Sequence, residues 1–285
     1  MQFFLSGLGN WAKDLTMIKE AVMEADKLGF DGALMPDHYM WGDVEWLKRP
    51  DKNSTLDTWV TLTYLAAKTE SIRLGTLVTP IPFRSPSILA KMISTLDVLS
   101  TGRVVLGVGA GWSQVEFEGY TEWNEPKVRV DKTKEGVKLM IELWTQSKVT
   151  FDGKHFSAKA AVLEPKPIQK PYPPLLFGGR GDRMLKLAGR YADICYIPQF
   201  EGAEGYEERK DKVLKSAKKA NRANKIAFMA GALSSWTPPD SKEYIKKVEA
   251  AIEEGVRYFL TSFPRNEEII HSIRSFAQEI MPSFK

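Results

Sequence analysis

The sequence predicts an α/β fold, a (β/α)8 TIM barrel formed as one domain by residues 1–285. Apolar runs of strand length alternate with helical patterns, and there are eight of each along the chain. Helices between successive strands imply parallel pairing of those strands. A barrel of this class uses about 250 residues, and a doubly wound sheet usually has fewer strands, so the eight units favour the barrel.

Four β–α units are predicted in the first half of the chain. Leu15, Ile18 and Val22 recur at helical spacing, and the helix that they predict stops before Gly29. Pro86 opens another helix, as proline does in a first turn. The predicted strands cover 2–6, 30–36, 72–79 and 103–108, and the predicted helices cover 14–28, 56–69, 86–99 and 127–144.

An insertion of about residues 148–174 follows the fourth helix and interrupts this alternation. Strand patterns at 149–153 and 154–156 predict a small hairpin around Asp152-Gly153, and several prolines then keep the chain extended. The alternation resumes with strands at 175–178, 192–198, 226–233 and 256–262 and helices at 182–191, 205–221, 240–254 and 266–280.

Composition and charge argue against several classes of protein. The 40 basic and 36 acidic side chains give a net charge of +4, and the basic stretch at 210–222 has the spacing of a solvated helix face rather than a nucleic-acid surface. No run approaches the roughly 18 apolar residues of a membrane span, and no signal-peptide pattern is present, so we expect a cytoplasmic protein. The three histidines lack metal-ligand spacing, so no metal site is expected, and Cys195 is interpreted as a buried packing thiol.

The active site of such a barrel lies at the carboxyl ends of its strands. His38 directly follows a predicted strand with Asp37, and histidine suits proton transfer near neutral pH; the alternative is an ordinary loop histidine. Tryptophans near these ends suit a wide apolar pocket, although Trp59 lies in a helical pattern and is expected in the core. The other strand ends fall at 79–80, 109–112, 178–180, 198–200, 233–234 and 262–263.

Two glycine-rich turns lie among these strand ends. Gly107, Gly109 and Gly111 do not match the dinucleotide fingerprint, and they indicate either close approach of a flat ligand or a tight strand-to-helix turn. The turn 178–181 precedes a helix, where free N–H groups bind phosphate and Arg180 or Arg183 would add charge. The alternative there is capping of that helix by Asp182.

The residues together resemble the bacterial luciferase-like superfamily over nearly the whole chain. Asp37-His38 with Trp41 is similar to the branch that depends on the deazaflavin coenzyme F420. The matching segments are 29–32, 37–38, 74–80, 83–91, 95–103, 106–112, 163–167 and 178–179.

The resemblance implies a TIM barrel with an insertion that binds F420, or alternatively FMN, at the strand ends, commonly as a homodimer. A non-proline cis peptide bond is implied at Leu77–Val78. The implied catalytic candidates are His38, Trp41 and Glu116. The implied cofactor-binding residues are Asp37, His38, Thr76, Leu77, Val78, Gly109, Gly111, Trp112, Gly178, Gly179 and Arg180.

One departure from the family pattern concerns the proton donor. The F420-dependent glucose-6-phosphate dehydrogenases carry an acidic residue directly after the Gly-x-Gly turn, where this chain has Trp112. Glu116 lies further along, so the acid partner stays unassigned and sugar-phosphate oxidation is disfavoured.

Three functions are compatible with the sequence. The first is an F420-dependent oxidoreductase that transfers a hydride between the deazaflavin C5 and a small organic substrate, with Trp41 and Trp112 walling the pocket. The second is an FMN-dependent monooxygenase that uses reduced flavin and oxygen. The third is a non-catalytic flavin-binding barrel. The residues do not identify the substrate.

Overall fold

The eight predicted barrel strands and the eight predicted helices between them are present in the predicted order. The computed structural model describes residues 1–198, 202–231, 236 and 241–284. Its strands are β1 (Gln2–Ser6), β2 (Gly32–Met35), β3 (Arg73–Thr76), β4 (Thr79–Pro80), β5 (Val104–Gly109), β6 (Val149–Asp152), β7 (Ser157–Ala161), β8 (Leu175–Gly178), β9 (Ile194–Tyr196), β10 (Ala227–Ala230) and β11 (Val256–Ser262). Its α-helices are α1 (Leu15–Lys27), α2 (Thr58–Ala66), α3 (Pro86–Leu99), α4 (Gln114–Tyr120), α5 (Pro126–Thr145), α6 (Asp182–Tyr191), α7 (Gly202–Lys219), α8 (Ser241–Glu253) and α9 (Ile269–Glu279).

The parallel sheet closes into the predicted barrel. Its strand order is β3-β2-β1-β11-β10-β9-β8-β5, and β3 also pairs with β5, which joins the two edges. The short β4 continues the third strand and pairs with the end of β5. Within the described residues, closure pairs each of these eight strands on both sides, and their carboxyl ends meet at one mouth.

The barrel strands are buried on both faces. Along β1, Phe3 and Leu5 pack in the layer between the sheet and the helices, whereas Phe4 joins a second cluster with Leu34 and Leu176. This alternation reflects the two-residue period of a strand, and it explains why the barrel strands are continuously apolar in sequence. Cys195 is buried as predicted, and burial raises the pKa of its thiol to about 12.

The structure differs from the predicted elements in three respects beyond small shifts of their ends. The strand predicted at 72–79 is interrupted at Leu77–Val78, where the peptide bond is cis. Helix α4 was not predicted, since seven residues give too little helical periodicity. The second hairpin strand is Ser157–Ala161 rather than 154–156, because the backbone N–H groups of residues 154–156 donate to the carboxylate of Glu135 on α5.

Two of the strand ends expected at the mouth, and the start of one predicted helix, fall on residues that the structure does not describe. Gln199, Phe200, Leu233 and Ser234 of the expected mouth lie outside the described residues, as does Asp240, the predicted start of a helix. Within the described ranges, no helix is long and apolar enough to cross a membrane.

Gly107 lies on β5 against the backbone of its neighbour β3, and Gly107→Ala is expected to destabilise the fold by at least about 3 kcal/mol. A Cβ at this position would lie 1.8 Å from the carbonyl oxygen of Thr76, which is backbone and cannot turn away. Chemical denaturation of the variant measures the loss. Gly181→Ala is the matched control, since a Cβ there meets nothing within 4 Å. Equal unfolding midpoints for the two variants would contradict this account of Gly107.

Candidate active site

A cavity of about 480 Å³ opens at the mouth of the barrel, at the carboxyl ends of the strands. Segments predicted from five different strand ends meet there, because parallel strands bring their carboxyl ends together. Its lining includes the predicted site residues His38, Leu77, Val78, Gly109, Gly111, Trp112, Gly178, Gly179 and Arg180. Pro80, Ala110, Pro126, Arg129, Val130, Met184, Tyr196 and Pro198 complete it.

His38 is held in one orientation by Glu116. Glu116 Oε2 lies 2.8 Å from His38 Nδ1, and its Oε1 accepts a hydrogen bond of 2.6 Å from the backbone N–H of Tyr39. The Glu116 side chain is fully buried on α4, whereas His38 lines the cavity. With Nδ1 engaged, Nε2 is the ring nitrogen left for a ligand. Glu116 therefore lies behind His38 and does not line the cavity.

Trp41 packs against the His38 ring. Its ring centroid lies 4.0 Å from that of His38, and its Nε1 donates to Asn10 Oδ1 at 3.2 Å. Asn10 Nδ2 in turn donates to the backbone oxygen of His38 at 2.7 Å. Trp112 lines the cavity as expected, and Trp41 lines a neighbouring one. Sequence reasoning missed Asn10, because a single asparagine in a loop carries no pattern.

Asp37 and Thr76 do not line the cavity, contrary to their expected place among the cofactor-binding residues. Asp37 is buried, and its carboxylate accepts from Arg84 at 3.0 Å and from the Thr79 hydroxyl at 2.8 Å. Burial raises the pKa of Asp37, and Arg84 and Thr79 partly offset that rise. Trp59 is buried, as predicted, and donates to the same Thr79 hydroxyl. This network holds Thr79, the residue that follows the cavity-lining Leu77 and Val78.

The implied cis peptide bond at Leu77–Val78 is present, and both residues line the cavity. The neighbouring glycines make room for Val78. A Cβ on Gly109 would lie 2.4 Å from Val78 Cγ2, and one on Gly178 would lie 3.0 Å from Val78 Cγ1. Glycine at these two positions therefore serves packing against the third strand, a reason that the sequence alone did not indicate.

The cavity has a cationic side formed by Arg180 and Arg129. Arg180 is exposed at the turn after β8, where it was predicted, whereas Arg183 instead binds Asp131 at 2.6 Å. Arg129 on α5 was missed; it is buried, and its guanidinium lies 3.9 Å from the ring centroid of Trp123. The lining given above contains no carboxylate. This side of the cavity is suited to an anionic group.

The start of α6 leaves its first N–H groups uncapped by a side chain. Its N-cap residue is Gly181, without a side-chain hydrogen bond, and Asp182 binds Lys212 at 2.9 Å. Capping by Asp182, the alternative explanation of this turn, is therefore wrong. The described ranges contain no group of three or more metal-ligating side chains that could hold an ion.

The fold and this site define a (β/α)8 barrel with a ligand cavity at the carboxyl ends of its strands. The family model described as luciferase-like monooxygenase matches residues 3–279. The chain belongs to the luciferase-like monooxygenase family.

Relatives of known activity differ in the coenzyme that they use. An F420-dependent glucose-6-phosphate dehydrogenase of Microbacterium testaceum (strain StLB037) is 33% identical over 186 residues, which are 65% of this chain and 53% of the relative. An FMNH(2)-dependent dimethylsulfone monooxygenase of Pseudomonas putida is 28% identical over 187 residues, which are 65% of this chain and 51% of the relative. The chain spans about half the length of these curated relatives.

A solved structure agrees with the fold over the full chain. It is an F420-dependent secondary alcohol dehydrogenase in complex with an F420–acetone adduct, with a TM-score of 0.83 and 23% sequence identity. The match covers 100% of this chain and 99% of that one. At this identity the likeness supports the barrel architecture alone.

Proposed function

We propose that the protein is an F420-dependent oxidoreductase that transfers a hydride between the deazaflavin C5 and a small organic substrate. The observation that carries the proposal is the His38–Glu116 pair at the cavity. It fixes one imidazole nitrogen with a buried carboxylate and leaves the other for a ligand. Histidine held in this way is suited to proton transfer beside a redox coenzyme.

The residues of the cavity fit a coenzyme that carries phosphate. Arg129 and Arg180 supply positive charge, and the uncapped start of α6 supplies N–H donors. Tyr196 also lines the cavity, and its buried hydroxyl has no hydrogen-bond partner among the described residues. Because burying an unpaired hydroxyl costs free energy, a ligand that accepts its hydrogen bond is expected here.

The chain's own residues would perform the proton chemistry and exclude water. F420 supplies a two-electron hydride exchange when bound. His38 Nε2 would take or give the substrate proton, and the Glu116 carboxylate at Nδ1 would stabilise the positive charge that develops on the ring. Glu116 acts here as a positioning residue, because it lies behind His38. Trp112 would shield the reacting atoms from solvent.

The proposed substrate is a small organic molecule other than a sugar phosphate. Trp112 directly follows Gly111 in this chain. The F420-dependent glucose-6-phosphate dehydrogenases, which the chain resembles, carry an acidic residue at that position. The proposal includes the homodimer implied by that resemblance, which sedimentation velocity would test.

An FMN-dependent monooxygenase is the second candidate. The similarity to the dimethylsulfone monooxygenase supports it, and the cationic side of the cavity suits the FMN phosphate as well. Such an enzyme consumes oxygen with reduced flavin, whereas hydride exchange with F420 proceeds without oxygen.

Titration of the purified chain with F420 and with FMN, separately and by calorimetry, tests the proposal. We expect F420 to bind with a micromolar or lower Kd and FMN not to bind. Binding of FMN alone would replace the first candidate with the monooxygenase, to be assayed by oxygen consumption with reduced FMN. If neither coenzyme binds, both candidates fail, and binding of F420 without turnover of alcohols, aldehydes or pterins would favour a non-catalytic barrel.

A matched pair of tyrosine variants locates the bound coenzyme. Tyr196→Phe is expected to weaken F420 binding by about three- to tenfold, the effect of one hydrogen bond. Tyr206→Phe removes another buried hydroxyl that lacks a partner among the described residues, but Tyr206 lies on α7 and outside the cavity lining. Equal effects of the two variants on affinity would show that the coenzyme does not contact Tyr196.

A further inference from the structure

A second cavity, of about 530 Å³, adjoins the first at the mouth of the barrel. Leu77 lines both cavities, so a ligand in one lies next to a ligand in the other. The walls of the second cavity include Trp11, Trp41, Trp46 and Phe263, which are flat and apolar. Its size and lining suit a small molecule with a flat apolar body.

Arg265 is the one charged residue among the described residues that line this second cavity. It is exposed, and its guanidinium lies 4.7 Å from the ring centroid of Trp11. On the same tryptophan, Arg49 lies 4.1 Å from the ring centroid. The cavity therefore combines aromatic walls with a cation.

The nearby carboxylates of Asp14 and Asp51 both bind Arg49. Arg49 donates to both carboxylate oxygens of Asp14, at 2.9 and 3.2 Å, and to both of Asp51, at 2.7 and 2.8 Å. No salt bridge joins Arg265 to a carboxylate among the described residues. Desolvation, and then the positive charge of Arg49, lower the pKa of Arg265, and the negative charge of Asp14 partly offsets this effect.

We propose that the second cavity is the substrate site and that it selects a carboxylate-bearing molecule with a flat apolar body. Arg265 would bind the carboxylate through its fork of N–H donors, and the tryptophans would cover the apolar part. Among the described residues that line the cavity, Arg265 is the single cation, which matches a monoanion better than a phosphate dianion. The reacting end of the molecule would point past Leu77 toward His38. This inference rests on the proposed function, because it names the substrate class of the same site.

The test compares two probes of equal shape, 2-naphthoate and 2-naphthamide, titrated into the purified chain by calorimetry. We expect 2-naphthoate to bind about tenfold more tightly than the neutral amide. Arg265→Gln is expected to weaken 2-naphthoate by about tenfold and to leave 2-naphthamide unchanged. Arg257→Gln is the matched control, since Arg257 is exposed near the amino end of β11, and it should leave both affinities unchanged.

A wall variant separates the apolar contribution from the charge. Trp46→Ala is expected to weaken both probes by the same factor, because it removes apolar surface from the cavity and no charge. Equal affinity of the two probes for the wild-type chain, binding of neither, or an equal effect of Arg265→Gln on both would overturn the inference.

The two proposals fail in different experiments. Arg265→Gln should bind F420 as tightly as the wild-type chain, since Arg265 does not line the first cavity. If the wild-type chain does not bind F420, the proposed function is refuted. If it binds F420 but does not prefer 2-naphthoate over 2-naphthamide, only the substrate class is refuted.

Discussion

His38→Ala is expected to lower turnover by about 10²–10⁴-fold while F420 affinity stays within about threefold of wild type. The His38 imidazole lines the cavity, and the removal of its Nε2 leaves the substrate proton without a donor or acceptor. Steady-state kinetics and calorimetric titration of the same preparation measure the two quantities. Unchanged turnover would remove His38 from the mechanism.

Two further variants make this result interpretable. Glu116→Gln should lower turnover less than His38→Ala and should shift the pH dependence of turnover, because the amide can bond Nδ1 but does not stabilise positive charge on the ring. A purely structural role for Glu116 would move stability without moving the pH profile. His155→Ala is the matched control, since His155 lies in the hairpin turn away from the mouth, and it should leave turnover unchanged.

Arg84→Met is expected to destabilise the fold by about 3–5 kcal/mol at neutral pH, the typical effect of leaving a buried charge unpaired. Arg84 donates to Asp37, which is 1% exposed, and to Asp57 at 2.9 Å. Loss of the guanidinium leaves the Asp37 carboxylate with the Thr79 hydroxyl alone. Chemical denaturation at pH 7 measures the change.

The pH dependence of this loss has a definite sign. Burial raises the pKa of Asp37 above its ordinary value of 3.8, and removal of Arg84 raises it further. A group with a raised folded-state pKa contributes stability that is fully present below its ordinary pKa and is lost as the pH rises through the raised value. The stability difference between Arg84→Met and wild type should therefore be largest at neutral pH and should shrink as the pH falls toward 3.8.

Arg183→Met supplies the matched control for the removal of a salt bridge. Arg183 pairs with Asp131 at 2.6 Å, and both side chains are at least 40% exposed. An exposed pair of this kind contributes about 0–1 kcal/mol, so the variant should unfold close to wild type at every pH. Equal free energies of unfolding for Arg84→Met and Arg183→Met would show that the Arg84–Asp37 contact does not stabilise the fold.

Contacts between residues far apart in the sequence decide which side chains line the cavity and which lie behind it. Glu116 was a catalytic candidate in the sequence, but its place behind His38 depends on the short α4, which has too few residues to show a period. Asn10, Arg129 and Tyr196 reach the site from separate elements and lack a local motif. Asp37 follows the same strand as His38, yet its side chain binds Thr79 and Arg84 and does not line the cavity.

The sequence by itself determined the barrel and the end of it at which the cavity opens. The period of apolar residues depends on neighbours along the chain, and eight alternating units leave few arrangements other than a closed parallel sheet. Only the tertiary structure decided which polar groups meet and which cavities they line, because these contacts join residues as far apart as His38 and Glu116. Their geometry depends on how loops of different strands pack at the mouth, and a linear pattern of side chains does not encode that packing.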